Sequence, residues 1–183
     1  MGEWRIRRFD PDRDLASVMN LNRIFLPEWY PRGFFLRNYE RWPASFLVAE
    51  SEGGEVVGYV MCRVEPPVYL GTRRVVLGHV LSIAVHSDWR RRGIGRALML
   101  EAERAMRSEY GAQVIFLEVR VSNSPAISLY EKIGYEKLGR IPRYYSDGED
   151  AYLMYKRVSE ELTEGECREA LMVRCRGVIP LGG

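Results

Sequence analysis

The stretch Val80-Leu81-Ser82-Ile83-Ala84-Val85-His86-Ser87-Asp88-Trp89-Arg90-Arg91-Arg92-Gly93-Ile94-Gly95-Arg96 decides how this chain folds. Val80–Val85 has the composition of a buried strand, and from Arg96 to Tyr110 apolar residues recur at helical spacing. A strand that runs straight into a helix leaves several backbone N–H groups unpaired and pointing the same way, with the helix dipole behind them. In the connecting run, Gly93 and Gly95 allow close backbone approach, and Arg90, Arg91 and Arg92 supply charge suited to diphosphate oxygens. The run reads as an anion cradle; the bland alternative is a solvated basic turn that merely links strand to helix. Two rival phosphate loops are excluded. A nucleotide-hydrolysing loop needs Gly-Lys-Ser/Thr where this chain has Gly95-Arg96-Ala97, and a dinucleotide fingerprint wants a third glycine where Leu98 stands.

Outward from this turn the elements alternate. Toward the N-terminus lie a strand at Trp4–Phe9, a helix from Asp10-Pro11-Asp12 to about Arg23, breaks at Pro27 and Pro31, and a helix over Gly33–Arg41. Ser45–Glu50 and Val56–Val64 then form a hairpin around Gly53-Gly54, and a Pro66-Pro67 loop leads to a strand over Val75–Val85. Beyond the Arg96–Tyr110 helix come strand Val114–Val121, helix Pro125–Ile133, and strands Tyr135–Ile141 and Ala151–Arg157. The strand, helix, strand unit around the cradle makes Val80–Val85 and Val114–Val121 parallel neighbours, which places the chain in the α/β class.

Composition sets outer limits. With 183 residues, 46% hydrophobic and 28% charged, the chain can build one ordinary core. A net charge of +2 gives no overall pull toward nucleic acid, so no nucleic-acid partner is expected. Met1-Gly2-Glu3-Trp4-Arg5 runs directly into a strand pattern and no run of 18 apolar residues exists, so a cytoplasmic protein without a membrane partner is expected. Cys62, Cys167 and Cys175 lack metal spacing; Cys62 reads as a buried thiol, while Cys167 and Cys175 are either free or paired.

Arg90, Gly93 and Gly95 match Arg-x-x-Gly-x-Gly/Ala between a strand and a long helix, and at this point the chain resembles the GCN5-related N-acetyltransferases (GNAT), for which that pattern is the acetyl-CoA signature. The strings Gly78–Val85, Leu117–Asn123, Ala126–Glu131 and Tyr144–Tyr152 make it similar to the archaeal catalytic subunits of protein N-terminal acetyltransferases, over about residues 4 to 157. The resemblance implies a GNAT fold: a single mixed central sheet, helices on both faces, splayed between the fourth and fifth strands so that pantetheine slots between them. It implies a catalytic domain over 1–158 and leaves 159–183 as a tail in which Ser159-Glu160-Glu161-Leu162 starts like a capped helix. It also implies acetyl-CoA as cosubstrate, contacted by Ile83, Ala84, Val85, Arg90, Arg91, Arg92, Gly93, Ile94, Gly95, Arg96, Asn123 and Tyr130. Two alternatives stay open on local chemistry: Asn123 as a helix cap before Pro125, and Tyr130 as a core aromatic beside Ile127 and Ile133.

Acyl transfer to an amine requires a base, polarisation of the thioester carbonyl, and a proton for the departing thiolate. A free α-amine, with a pKa near 8 against about 10.4 for lysine, needs only modest help. Glu28, in Leu26-Pro27-Glu28-Trp29-Tyr30, resembles the carboxylate of the family's Leu-Pro-Glu-Asn-Tyr segment, with Trp29 in place of Asn; Leu26 and Tyr30 would line the substrate pocket. His79 is the second candidate base, and Glu118 on the adjacent strand could meet it across the sheet to orient the imidazole, act as a base itself, or form a two-ligand zinc site. Arg120, next on the same face, would pair with one of these carboxylates and tune its pKa. Each has a structural alternative: a solvated loop carboxylate for Glu28 and a hydrogen-bonded structural histidine for His79. Tyr144 and Tyr145, before the turn Ser146-Asp147-Gly148, correspond to the hairpin that in the look-alike enzymes arches over the substrate N-terminus. The expected activity is acetyl transfer from acetyl-CoA to protein α-amines in a ternary complex, with protein N-termini as substrate and an auxiliary ribosome-anchoring subunit as a partner. A small-amine or lysine acetyltransferase and a non-catalytic acetyl-CoA-binding accessory subunit are the alternatives.

Overall fold

In chain order the elements are β1 (Trp4–Arg8), α1 (Pro11–Phe25), α2 (Arg32–Arg41), β2 (Phe46–Ser51), β3 (Val56–Val64), β4 (Val68–Leu70), β5 (Arg73–Val75) and β6 (Leu77–Val85). They continue with α3 (Ile94–Tyr110), β7 (Val114–Arg120), α4 (Ser124–Lys132), β8 (Glu136–Ile141), β9 (Ala151–Arg157), α5 (Glu164–Arg174) and β10 (Ile179–Pro180). This computed structural model describes residues 3–181, so residues 1–2 of the expected 1–158 span and 182–183 of the expected 159–183 span lie outside the described residues. The chain divides into two units: residues up to Arg63 with Val80–Tyr110, and Val64–His79 with the chain from Gly111 onward.

In the first unit β1 pairs antiparallel with β2, and β2 with β3, while the end of β6 lies next to β3. The β2–β3 turn needs Gly54, whose φ of 84° is left-handed. Asp10 caps α1 through the Asp12 N–H, Pro11 occupies its first turn, and Asp12 and Asp14 complement the dipole there. The apolar stripe Leu15, Val18, Leu21 faces a core of Phe35, Phe46, Val48, Tyr59 and Met61, most of them without exposed surface. Each such side chain contributes about 1.5–3 kcal/mol by leaving water. Helices cover both faces of this sheet. Tyr59 belongs to the α1–α2 side, whereas a Cβ on Gly58, its neighbour facing the other way, would meet Ile94 of α3.

In the second unit the first three residues of β6 pair in parallel with β7, from Leu77↔Val114 to His79↔Phe116, and both strands run on past the last pair. β9 pairs antiparallel with β7 and with β8, and β10 adds to β8. The strand expected from Val75 is interrupted: Arg73–Val75 folds back on Val68–Leu70 as a small hairpin, and β6 starts at Leu77. The expected cap at Ser159 moves to Thr163, where Thr163 and Glu166 form a reciprocal capping box for α5. α5 sends Cys167, Ala170 and Leu171 into a core with Leu77, Phe116, Leu153 and Tyr155. The three cysteines are free, which removes the pairing of Cys167 with Cys175. Eight residues along a helical rise separate that pair by about 12 Å, beyond the roughly 7 Å that a disulfide spans.

Candidate active site

The cradle belongs to the first unit. After Val85 the chain makes a short turn in which His86, capping with its ring nitrogen, accepts from the Asp88 N–H at 3.3 Å. Arg91 (φ 62°) and Gly93 (φ 82°) are both left-handed, and together they swing the backbone into α3. A Cβ on Gly93 would touch nothing, so its backbone conformation and not space calls for glycine. The first helical bond of α3 runs from the Ala97 N–H to the Gly93 carbonyl, which leaves the N–H groups of Ile94, Gly95 and Arg96 ahead of it for an anion. α3 therefore begins two residues before the expected Arg96. Arg90 ties the loop: its Nε donates to the Val85 carbonyl at 3.0 Å and its guanidinium lies 5.0 Å over Phe25. Arg92 stacks 4.6 Å from Trp89, and Arg90, Arg91, Arg92 and Arg96 are exposed. These features fit the diphosphate of coenzyme A. Upstream, Ala84 is buried between half-buried Ile83 and Val85, and the Ala84 carbonyl lies against Gly58.

The Leu26–Tyr30 segment of the same unit hangs on Asn22, a buried amide that follows the apolar stripe of α1. Asn22 Oδ1 accepts from the Tyr30 N–H at 3.0 Å. Its Nδ2 donates to Tyr59 Oη at 3.0 Å, with Ser82 Oγ and the Glu28 carbonyl at 3.5 Å. Burial pushes the Tyr59 hydroxyl up to about 12, so it stays protonated, 2.5 Å from Ser82 Oγ. Tyr30 stacks on Phe34 at 4.4 Å and its hydroxyl donates to the Leu81 carbonyl at 3.4 Å. Leu26 and Glu28 are half-buried, while Trp29 is 69% exposed. Asn22, Tyr59 and Ser82 were not legible as site residues, because nothing local distinguishes one polar residue in an apolar stripe.

The second unit brings His79 and Glu118 together. His79 Nε2 lies 2.7 Å from Glu118 Oε2, and Nδ1 lies 2.8 Å from Oε1 of Glu65, which precedes Pro66-Pro67. The ring stacks on Phe116 at 4.2 Å. The side chains are 10%, 13% and 3% exposed for His79, Glu118 and Glu65, so these contacts are shielded from water. Burial alone pulls an imidazole pKa down; the Glu118 charge and hydrogen bond, followed by Glu65, outweigh it and hold His79 above its ordinary value. With a carboxylate against each nitrogen the geometry favours the protonated ring, which would donate to both, and in that form the proton acceptor of the pair is Glu118.

Elsewhere in that unit Arg120 organises the turn after β8. Its Nη1 donates to Asp147 Oδ2 and Glu149 Oε2, both at 2.7 Å, and the guanidinium lies 4.0 Å over the Tyr145 ring. The Ser122 hydrogen bond, then Arg120, holds the Glu149 carboxyl down at about 2. Tyr144, 45% exposed, meets Tyr145 edge to face at 5.0 Å. Asn123 caps α4 by accepting from the Ala126 N–H at 3.3 Å, and Tyr130 is buried 6.0 Å from Tyr135. The residues present do not fit zinc at His79 and Glu118, because both imidazole nitrogens already lie against carboxylates at hydrogen-bond distance. Among the described residues no group of three or more His, Cys, Asp or Glu stands so as to hold a metal. Among the described residues no helix is long and apolar enough to cross a membrane.

Comparison with known proteins adds to this geometry. Residues 15–135 match the acetyltransferase (GNAT) family. Over 155 residues the chain is 46% identical to a Sulfurisphaera tokodaii protein named N-alpha-acetyltransferase, spanning 83% of this chain and 92% of that one. It is 38% identical over 147 residues to the N-terminal acetyltransferase A complex catalytic subunit ard1 of Schizosaccharomyces pombe, spanning 80% of this chain and 81% of that one. The crystal structure of Chaetomium thermophilum Naa20 in complex with a bisubstrate analogue superposes with a TM-score of 0.75 at 29% identity, covering 96% of this chain and 92% of that one.

Proposed function

The chain belongs to the acetyltransferase (GNAT) family, and on that footing we propose that it transfers the acetyl group of acetyl-CoA to the free α-amino group of protein N-termini in a ternary complex. The observation that carries the reading is the turn into α3, with left-handed Arg91 and Gly93 and three N–H groups ahead of the first helical bond, a seat for the coenzyme A diphosphate. The bound cosubstrate supplies an activated thioester.

The α-ammonium gives its proton to a carboxylate, and the freed amine lone pair attacks the thioester carbonyl. The C–N bond forms as the C–S bond breaks; the leaving thiolate takes a proton from the Tyr130 hydroxyl in this reading, and the phenolate regains one from the nitrogen, which sheds its second proton to become the amide. Two carboxylates are candidates for the first step: Glu28, on the segment held by Asn22, and Glu118, held by His79. Leu26, Tyr30, Tyr144 and Tyr145 are the peptide-contacting side chains. The reading includes a cytoplasmic place of action and an auxiliary subunit that brings the enzyme to the ribosome. The name of the fission-yeast relative, a catalytic subunit of a complex, supports a partner subunit.

The test is transfer of radioactive acetyl to peptides beginning Ser, Ala or Met. Label at the α-amine is expected, whereas label only on small amines or internal lysines sinks the reading. Glu28→Ala and Glu118→Gln keep acetyl-CoA affinity and lose rate; a protein that binds acetyl-CoA but never turns over is a non-catalytic subunit.

A further inference from the structure

The buried ion pair at His79 does not end at Glu65. The second carboxylate oxygen of Glu65, Oε2, accepts from Arg174 Nη2 in a short contact, and Arg174 is the last residue of α5, 109 positions away in the chain. The four side chains form one line of alternating charge: Arg174 guanidinium, Glu65 carboxylate, His79 imidazolium, Glu118 carboxylate. Exposure falls from 36% at Arg174 to 3% at Glu65, so the line enters the fold from its surface end. α5 cannot drift along this contact, because its capping box fixes one end and Cys167, Ala170 and Leu171 anchor its inner face. Arg174 lies outside residues 15–135, the part that matches the family.

We propose that Arg174 is a positioning residue for acetyl transfer, acting through Glu65 and His79 on Glu118. The inference rests on the acetyl-transfer reading above. With Arg174 in place, Glu65 is neutralised on one oxygen and presents the other to His79 Nδ1; the ring is thereby fixed in the plane that aims Nε2–H at Glu118. The line carries two positive and two negative charges and is neutral as a whole. The Cys175 thiol also lies near the line; burial first, and then the Glu118 charge, pushes it up to about 12, so it stays neutral and adds no charge. Removing Arg174 leaves one net negative charge in a shielded site, and every group on the line then holds its proton to higher pH. Removing the Glu65 charge leaves one net positive charge and shifts the line the opposite way.

The experiment reads both signs. Wild type, Arg174→Gln and Glu65→Gln are compared in the full chain by kcat against pH and by NMR titration of His79; His86 is the one other imidazole in the sequence. In Arg174→Gln the acidic limb of kcat and the His79 titration both move up by about one pH unit, the order expected for an opposite charge lost beside a carboxylate. In the same variant kcat at neutral pH falls about tenfold and KM for acetyl-CoA is unchanged. In Glu65→Gln both midpoints move down, and Arg174→Lys recovers part of the rate. Midpoints within about 0.2 unit of wild type in both glutamine variants, or moving the same way in both, overturn the proposal (about a fifth of the smallest shift expected). If Arg174→Gln does not fold, the downward shift in Glu65→Gln and the Arg174→Lys midpoint decide. If wild type transfers no acetyl group, the functional reading fails while the NMR titration still decides the linkage.

Discussion

Replacing Asn22 by alanine is expected to loosen the Glu28–Tyr30 segment and to leave acetyl-CoA binding intact. The size follows from the contacts. Two hydrogen bonds at 3.0 Å are lost, one from the Tyr30 N–H and one to Tyr59 Oη. A typical buried hydrogen bond contributes about 1 kcal/mol, and an orphaned donor adds about 1 kcal/mol more. Tyr59 keeps its 2.5 Å contact with Ser82, so only the Tyr30 N–H is orphaned, and the total is about 2–3 kcal/mol. For a chain of this length that lowers Tm by about 4–12 °C. Because the bond to Tyr30 holds the segment bearing Glu28, KM for peptide rises while Kd for acetyl-CoA does not. The assays are differential scanning fluorimetry, peptide acetylation kinetics and acetyl-CoA titration. Tyr59→Phe is the control: it removes the phenolic oxygen and its bonds to Asn22 and Ser82, leaves the Asn22–Tyr30 bond in place, and should lower stability by about 2 kcal/mol with little change in peptide KM. A peptide KM in Asn22→Ala within twofold of wild type, or an equal rise in Tyr59→Phe, refutes the positioning role of Asn22.

Glu50 offers an acid-stability prediction. Its side chain, 2% exposed, accepts from Arg5, Arg7 and Arg13, and Arg7 first, then Arg5, holds its carboxyl down at about 2. A depressed carboxylate contributes stability above its ordinary value of 4.5 and loses it as pH falls through about 2. Glu50→Gln is therefore less stable than wild type by about 3 kcal/mol at pH 7, and urea denaturation should show the gap closing toward pH 2. A gap independent of pH contradicts this. Arg120→Ala removes the 4.0 Å stack on Tyr145 and both carboxylate bonds, so peptide KM is expected to rise about tenfold with acetyl-CoA affinity unchanged. Arg120→Lys keeps charge without the planar stack and should fall between the two in peptide kinetics.

The parts of the fold that were legible in the sequence are those governed by local rules. The strand to cradle to helix passage follows from apolar runs bounded by glycine, and the β2–β3 hairpin from Gly53-Gly54. The end of α1 follows from Pro27. The hairpin β4–β5 was not legible, because three-residue strands carry too little pattern to separate from the longer apolar run that follows. The start of α5 was misplaced for a related reason. Ser159-Glu160-Glu161-Leu162 and Thr163-Glu164-Gly165-Glu166 both offer a hydroxyl ahead of acidic residues, and only the packing of Leu162 and Cys167 chooses between them.

Within the site the division is sharper. Sequence alone determined the chemical inventory: the cradle of Arg90–Gly95, the carboxylates Glu28 and Glu118, the imidazole of His79 and the paired tyrosines. The cradle is signalled by residue type between strand and helix, whereas Glu28 and the paired tyrosines are picked out through the family resemblance of their short strings. Tertiary structure alone decided what each one faces. It joined His79 to Glu65 and Glu118, and Glu65 to Arg174 from the far end of the chain, and thereby set a carboxylate against each nitrogen of the imidazole. The protonation state of a buried ring is set by the charges within a few ångströms of it, and those charges arrive from elements whose separation along the chain no local pattern records.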